Sequence, residues 1–138
     1  MRALTPLLIG GALASCTTAP EPSQPSPSAQ RELATLLAGK TAGPPVSCLQ
    51  SYNTNDIVFI DDRNVAFRLG SQTVYLAHLS PGCHGLGSGN YALLTRQFGG
   101  MGMCRGDIAH VFDTTNRLTV GSCGIDAIIP YKAGGARL

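Results

Sequence analysis

The chain has 138 residues, 43% of them hydrophobic and only 13% charged, with 17 Gly, 9 Pro, 5 Cys and no Trp. That length holds one small domain, and a charged fraction about half the usual ~25% excludes a coiled coil or a charge-rich disordered chain. A net charge of +2 gives no clustered basic face, so no nucleic-acid partner is expected.

Residues 1–15 read as a signal peptide: Met1-Arg2 supply a basic start, an apolar run follows to Leu13, and small residues close it. The apolar run is short of the ~20 residues a membrane span needs. Leu13-Ala14-Ser15-Cys16 is similar to a bacterial lipobox, in which the thiol is acylated and the chain is cut just before it. Cys16 is therefore the predicted lipid anchor, and the predicted membrane contact is through that N-terminal lipid. The implied location is the periplasmic face of a bacterial cell envelope. Thr17 in place of Asp points to the outer membrane. Residues 16–30, rich in Pro and Ser, leave little to bury and read as an extended tether. Residues 31–43 place Leu33, Leu36 and Leu37 at i, i+3 and i+4, which predicts one short amphipathic helix. Ser28 is its predicted N-cap, with Gly39 or Gly43 as its stop.

From residue 44 to 132 the helical period gives way to short runs of Val, Ile, Phe, Tyr and Thr between turn residues. This predicts an all-β domain, a small disulfide-stapled β-barrel or β-sandwich carrying one short N-terminal helix, with residues 133–138 as a tail. Residues 57–60 and 65–69 flank the polar turn Asp61–Asn64 as a hairpin. Val65, Phe67 and Leu69 alternate with Ala66 and Arg68, which predicts one buried face. Further strands are expected over 73–79, 91–96, 107–112 and 118–130, the last of them central because of its apolar end. From Pro44 to Lys132, six basic residues balance six acidic ones, so the predicted domain is neutral and electrostatic recruitment to nucleic acid or anionic lipid is not expected.

With Cys16 assigned to the anchor, Cys48, Cys83, Cys104 and Cys123 remain. An even number in an exported chain reads as two disulfides. Three connectivities are open. Linking adjacent loops favours Cys83–Cys104, and joining first strand to last favours Cys48–Cys123.

Candidate chemistry is sparse. No Cys-x-x-Cys is present for redox work, no ligand tetrad forms for zinc, and neither a metal nor another cofactor is expected. Gly85, Gly87 and Gly89 open onto a strand, so no helix terminus is supplied for phosphate. Alternation puts His78 on the face of Val74 and Leu76 as a partly buried strand residue. It also puts Asp107 and His110 on opposite faces, which speaks against a catalytic pair. The candidate ligand-binding residues are His84, in a Gly-rich loop, with Arg105 and Asp107.

The ordered pieces LAGKTAGPPVSCL (37–49), IDDRNVAFRLG (60–70), VYLAHL (74–79), PGCHGLG (81–87), MCRGDIAHVFD (103–113) and VGSCGIDAIIPY (120–131) carry a resemblance. Over residues 36–131 the chain resembles a family of small exported bacterial proteins of unknown function, found mainly in alphaproteobacteria. Residues 125–129 depart from it in lacking an aromatic before Pro130-Tyr131. The resemblance implies the domain limits and four structural cysteines, and it brings no catalytic residue. The expected function is a non-enzymatic binding or structural module of the envelope, its partner an envelope protein, glycan or small molecule. The alternative is a small envelope enzyme or inhibitor working through the His84 loop.

Overall fold

A computed structural model describes residues 24–50, 56–96, 100 and 102–134. The signal peptide, Cys16 and most of the tether lie outside the described residues.

Helix α1 runs Pro27–Leu37, its first turn capped by Ser26, whose hydroxyl accepts from the Ala29 N–H at 3.2 Å. The cap falls two residues before the expected Ser28 because Pro27 occupies the first helical position, where its fixed φ fits and its missing N–H costs nothing. Gly39, at φ +69°, turns the chain out of the helix. Residues expected to extend the helix instead form strand β1 (Lys40–Ala42).

The other strands are β2 (Cys48–Leu49), β3 (Asp56–Phe59), β4 (Asn64–Leu69), β5 (Thr73–Leu79), β6 (Tyr91–Thr95), β7 (Met103–Cys104), β8 (Ile108–Asp113) and β9 (Leu118–Ala133). All pairings are antiparallel. The main sheet runs β3-β4-β5-β9-β8-β6, with β1 also on β9, and it curls into a half-barrel. β2 and β7 form a separate two-stranded flap. The 16-residue β9 is the spine: residues 118–124 pair with β8 and residues 125–132 pair with β5. Bulges at Val120 and Asp126 bend it, which is how one strand serves both halves of a curled sheet.

The concave side holds the main core. Val65, Phe67, Ala77, Leu79, Val111, Ile125 and Ile128 meet there with Leu86 and with Leu49 and Met103 of the flap. The hairpin was expected to bury one face only. It buries both. Ala66 is fully buried with Val74 and Leu76 on the convex side, because Leu33, Leu36 and Leu37 of α1 lie over them. Sheet and helix each hide the other's apolar face.

The disulfides are Cys48–Cys104 and Cys83–Cys123, which overturns the expected Cys83–Cys104 and Cys48–Cys123. Flap register sets the first, since Cys48 stands directly opposite Cys104. Gly102 permits the flap: at φ +83° a Cβ there would stand 2.0 Å from the Leu49 carbonyl oxygen. The second forms because the chain leaving β5 turns back onto β9 instead of continuing to the neighbouring loop. Closures spanning 56 and 40 residues each stabilise by about 4 kcal/mol in the chain-entropy account.

Candidate functional site

Two clefts lie near the polar side chains singled out by the sequence, though of His84, Arg105 and Asp107 only Asp107 lines one. The first, about 420 Å³, lies between the start of α1 (Ser26, Ser28, Glu32), the β3–β4 turn and Gly85-Gly87-Ser88. In that turn the Asp61 carboxylate accepts from the Arg63 N–H at 2.7 Å and from the Asn64 amide at 2.9 and 3.0 Å. Asp62 reaches across and accepts from the Gly85 and Leu86 N–H groups at 2.7 and 3.1 Å. That clamp seats the single 3₁₀ turn Leu86–Ser88 and drives Leu86 into the core. His84 stands outside it, 82% exposed, with Nδ1 3.8 Å from Asp62 Oδ2.

His78 is half-buried, in keeping with its alternation with Val74 and Leu76. The Asn64 amide donates to Asp61, so Asn64 Oδ1 faces His78 Nδ1 at 2.8 Å and accepts a hydrogen bond from it. An Asp61–Asn64–His78 hydrogen-bonded chain results.

The second cleft, about 410 Å³, is lined by Arg96, Gly106, Asp107, Ile108 and His110. Asp107 and His110 were expected on opposite faces; both line this cleft. Asp107 precedes β8 and belongs to the tight turn after β7, so strand alternation does not govern it. Its N–H donates to the Cys104 carbonyl at 3.1 Å and its carboxylate accepts from the Cys104 N–H at 2.8 Å. Arg105, at the tip of the same turn, is exposed, and its backbone N–H donates to the Ser47 carbonyl at 2.8 Å. The predicted trio therefore divides. Arg105 and Asp107 share a turn, whereas His84 pairs with Asp62 at the other cleft.

What the sequence reading missed is the convergence of Arg96 and His110 with Asp107, and the Asp62 clamp. β6–β8 register creates the first, setting Leu94 opposite His110 and Thr95 opposite Ala109, and no short motif encodes it. Among the described residues, Asp113 is the carboxyl whose acid–base equilibrium the fold displaces. Hydrogen bonds from the Asn116 N–H, the Asn116 amide and the Thr115 N–H hold its carboxyl below the ordinary value, against the opposing effect of burial. Among the described residues no group of three or more His, Cys, Asp or Glu is placed to hold a metal ion. No described helix is long and apolar enough to cross a membrane.

The two halves of the convex sheet surface differ. α1 covers β4 and β5, while on β6 and β8 the outward Leu94 and Ile108 stay 49% and 54% exposed. No curated protein and no solved structure matches the chain. The model of a family of unknown function, DUF6491, matches residues 1–137, beyond both ends of the 36–131 resemblance, and the chain belongs to that family.

Proposed function

We propose that this protein is a non-enzymatic binding module of the bacterial cell envelope, held by an acylated Cys16 on a Pro- and Ser-rich tether. The observation that carries the binding role is the bare half of the convex sheet, where Leu94 and Ile108 project 49% and 54% exposed and no helix of the described residues covers them. Small domains ordinarily cover such a surface or use it. Two disulfides in a domain of this size fit an oxidising compartment, and the lipobox-like Leu13–Cys16 gives the address. Metabolic labelling with a fatty-acid precursor tests the anchor. Label is expected on the wild-type chain and absent from Cys16→Ala; an unlabelled wild-type chain overturns it.

A second reading, a small envelope enzyme or inhibitor, rests on exposed His84 standing 3.8 Å from Asp62, which lines a 420 Å³ cleft. His84→Ala tests it. A correctly folded variant that still complements a deletion strain removes this reading.

A further inference from the structure

We infer that the bare β6–β8–β9 face is a docking surface for an anionic lipid bilayer, with Arg96, Arg105 and Arg117 bordering an apolar patch of Leu94, Ile108 and Phe112. Strand alternation builds the patch. Ala109 and Val111 point into the core, so Ile108, His110 and Phe112 face outward, and β6 register sets Leu94 beside His110 and Ala92 beside Phe112. Val120, at the β9 bulge, adds a further 45%-exposed apolar side chain next to them.

The charges around this patch are sorted by use. Arg63 and Arg68, in the helix-covered half, are engaged by the Leu79 carbonyl and the Asp56 carboxylate. Arg96, Arg105 and Arg117 are exposed, and among the described residues their guanidinium groups have no ion-pair partner. The acids of this half are spent internally: Asp113 caps the 114–117 turn and Asp107 caps the turn after β7. Asp126 is the exposed acid at the seam with the other half. The neutral total gives no reason to expect recruitment to anionic lipid, but the distribution of charge does: the apolar sheet face carries at both ends cations unpaired among the described residues, Arg96 and Arg105 at one and Arg117 at the other. Isologous pairing of two copies through this face would bring like charges together. An anionic bilayer instead offers phosphates to the arginines and an apolar interior to Leu94 and Ile108.

The inference rests on the envelope reading for its geometry. Nine residues lie between Cys16 and the helix cap at Ser26, ten Cα steps with a reach of roughly 35 Å at full extension. An acylated Cys16 would thus keep the folded part within a few nanometres of the bilayer.

The absence of Trp makes a single introduced indole an unambiguous reporter. The full chain carrying Leu94→Trp, or Ile108→Trp should the first fold poorly, is mixed with phosphatidylcholine vesicles with and without phosphatidylglycerol. Ser71→Trp, in the β4–β5 turn of the helix-covered half, is the control. Expected are a blue shift and quenching by brominated lipid for Leu94→Trp on the anionic vesicles alone, with Ser71→Trp unmoved. Attachment through the N-terminal segment by itself leaves both indoles in water. Each Arg→Gln change at 96, 105 or 117 should lower the docked fraction's apparent constant about fivefold. Equal shifts on neutral vesicles, equal shifts at both positions, a concentration-dependent shift without lipid (a second copy), or no shift on either vesicle overturns the inference. Fatty-acid labelling of Cys16, read on the same chain, reports the envelope reading separately.

Discussion

Gly82 lies against the backbone of Ser122 so closely that a Cβ on it would stand 2.2 Å from the Ser122 carbonyl oxygen. The contact brings the chain after β5 onto β9 and delivers Cys83 to Cys123. Gly82 also sits at φ +122°, where a side chain is strained even with room. Gly82→Ala therefore combines backbone strain with a collision against immobile backbone. The expected loss is about 3 kcal/mol of unfolding free energy, read from urea melts. A loss under about 0.5 kcal/mol, the ordinary range for surface changes, would show that this apposition is not maintained in solution.

The disulfide pairing makes a second prediction. Mass mapping of a non-reduced digest should yield Cys48–Cys104 and Cys83–Cys123 peptides, and a Cys83–Cys104 peptide would contradict the fold. Removing each pair as a double Ala variant should cost about 4 kcal/mol. The two differ in kind. Cys83 and Cys123 are buried in the core and leave a void, so their removal should loosen amide protection in β8 and β9. Cys48–Cys104 closes the flap, and its loss should free residues 46–50 and 102–107 first.

These pairings mark the boundary of what the sequence discloses. The 57–69 hairpin, β5, the Leu33-Leu36-Leu37 stripe and the central place of β9 all follow from periodicity, because each is long enough to show its pattern. β1, β2 and β7 have two or three residues apiece and no period to read; only their partners define them. Ala66 shows the same limit in another form. A small side chain between Val65 and Phe67 is compatible with solvent or with a covering helix, and only the docking of α1 decides. Of the candidate site, His84, Arg105 and Asp107 are visible as residue types, but their separation into two clefts depends on contacts between Asp62 and Gly85 and between Asp107 and Cys104. The first is set by tertiary placement; the second is a local turn, but it follows a two-residue strand that has no period to read.

Asp62 tests whether the β3–β4 turn holds the Gly-rich loop in place. Its carboxylate satisfies two backbone N–H groups that lead directly into buried Leu86. Asp62→Ala leaves those donors to water and unseats the 3₁₀ turn, at a cost of about 1–2 kcal/mol. Asp62→Asn, which keeps an acceptor oxygen, should recover about half of that. Hydrogen exchange at the Leu86 amide is the specific readout. Unchanged exchange in Asp62→Ala would show that the loop is held by Leu86 packing alone.

Asp113 sets the acid limit that can be assigned to one residue. Its carboxyl is held below the ordinary 3.8 chiefly by the Asn116 N–H, then by the Asn116 amide. The unfolded chain therefore takes up the proton at a higher pH than the folded one. The stabilisation is fully present above the unfolded value near 3.9 and disappears as pH falls through the lower, folded value. Asp113→Asn removes the charge while retaining one acceptor for the 114–117 turn. Its deficit in melting temperature against the wild type should be largest at neutral pH and shrink below about pH 4. A deficit that stays constant from neutral pH to pH 2 would mean the carboxylate charge contributes nothing there and the turn is held by hydrogen-bond geometry alone.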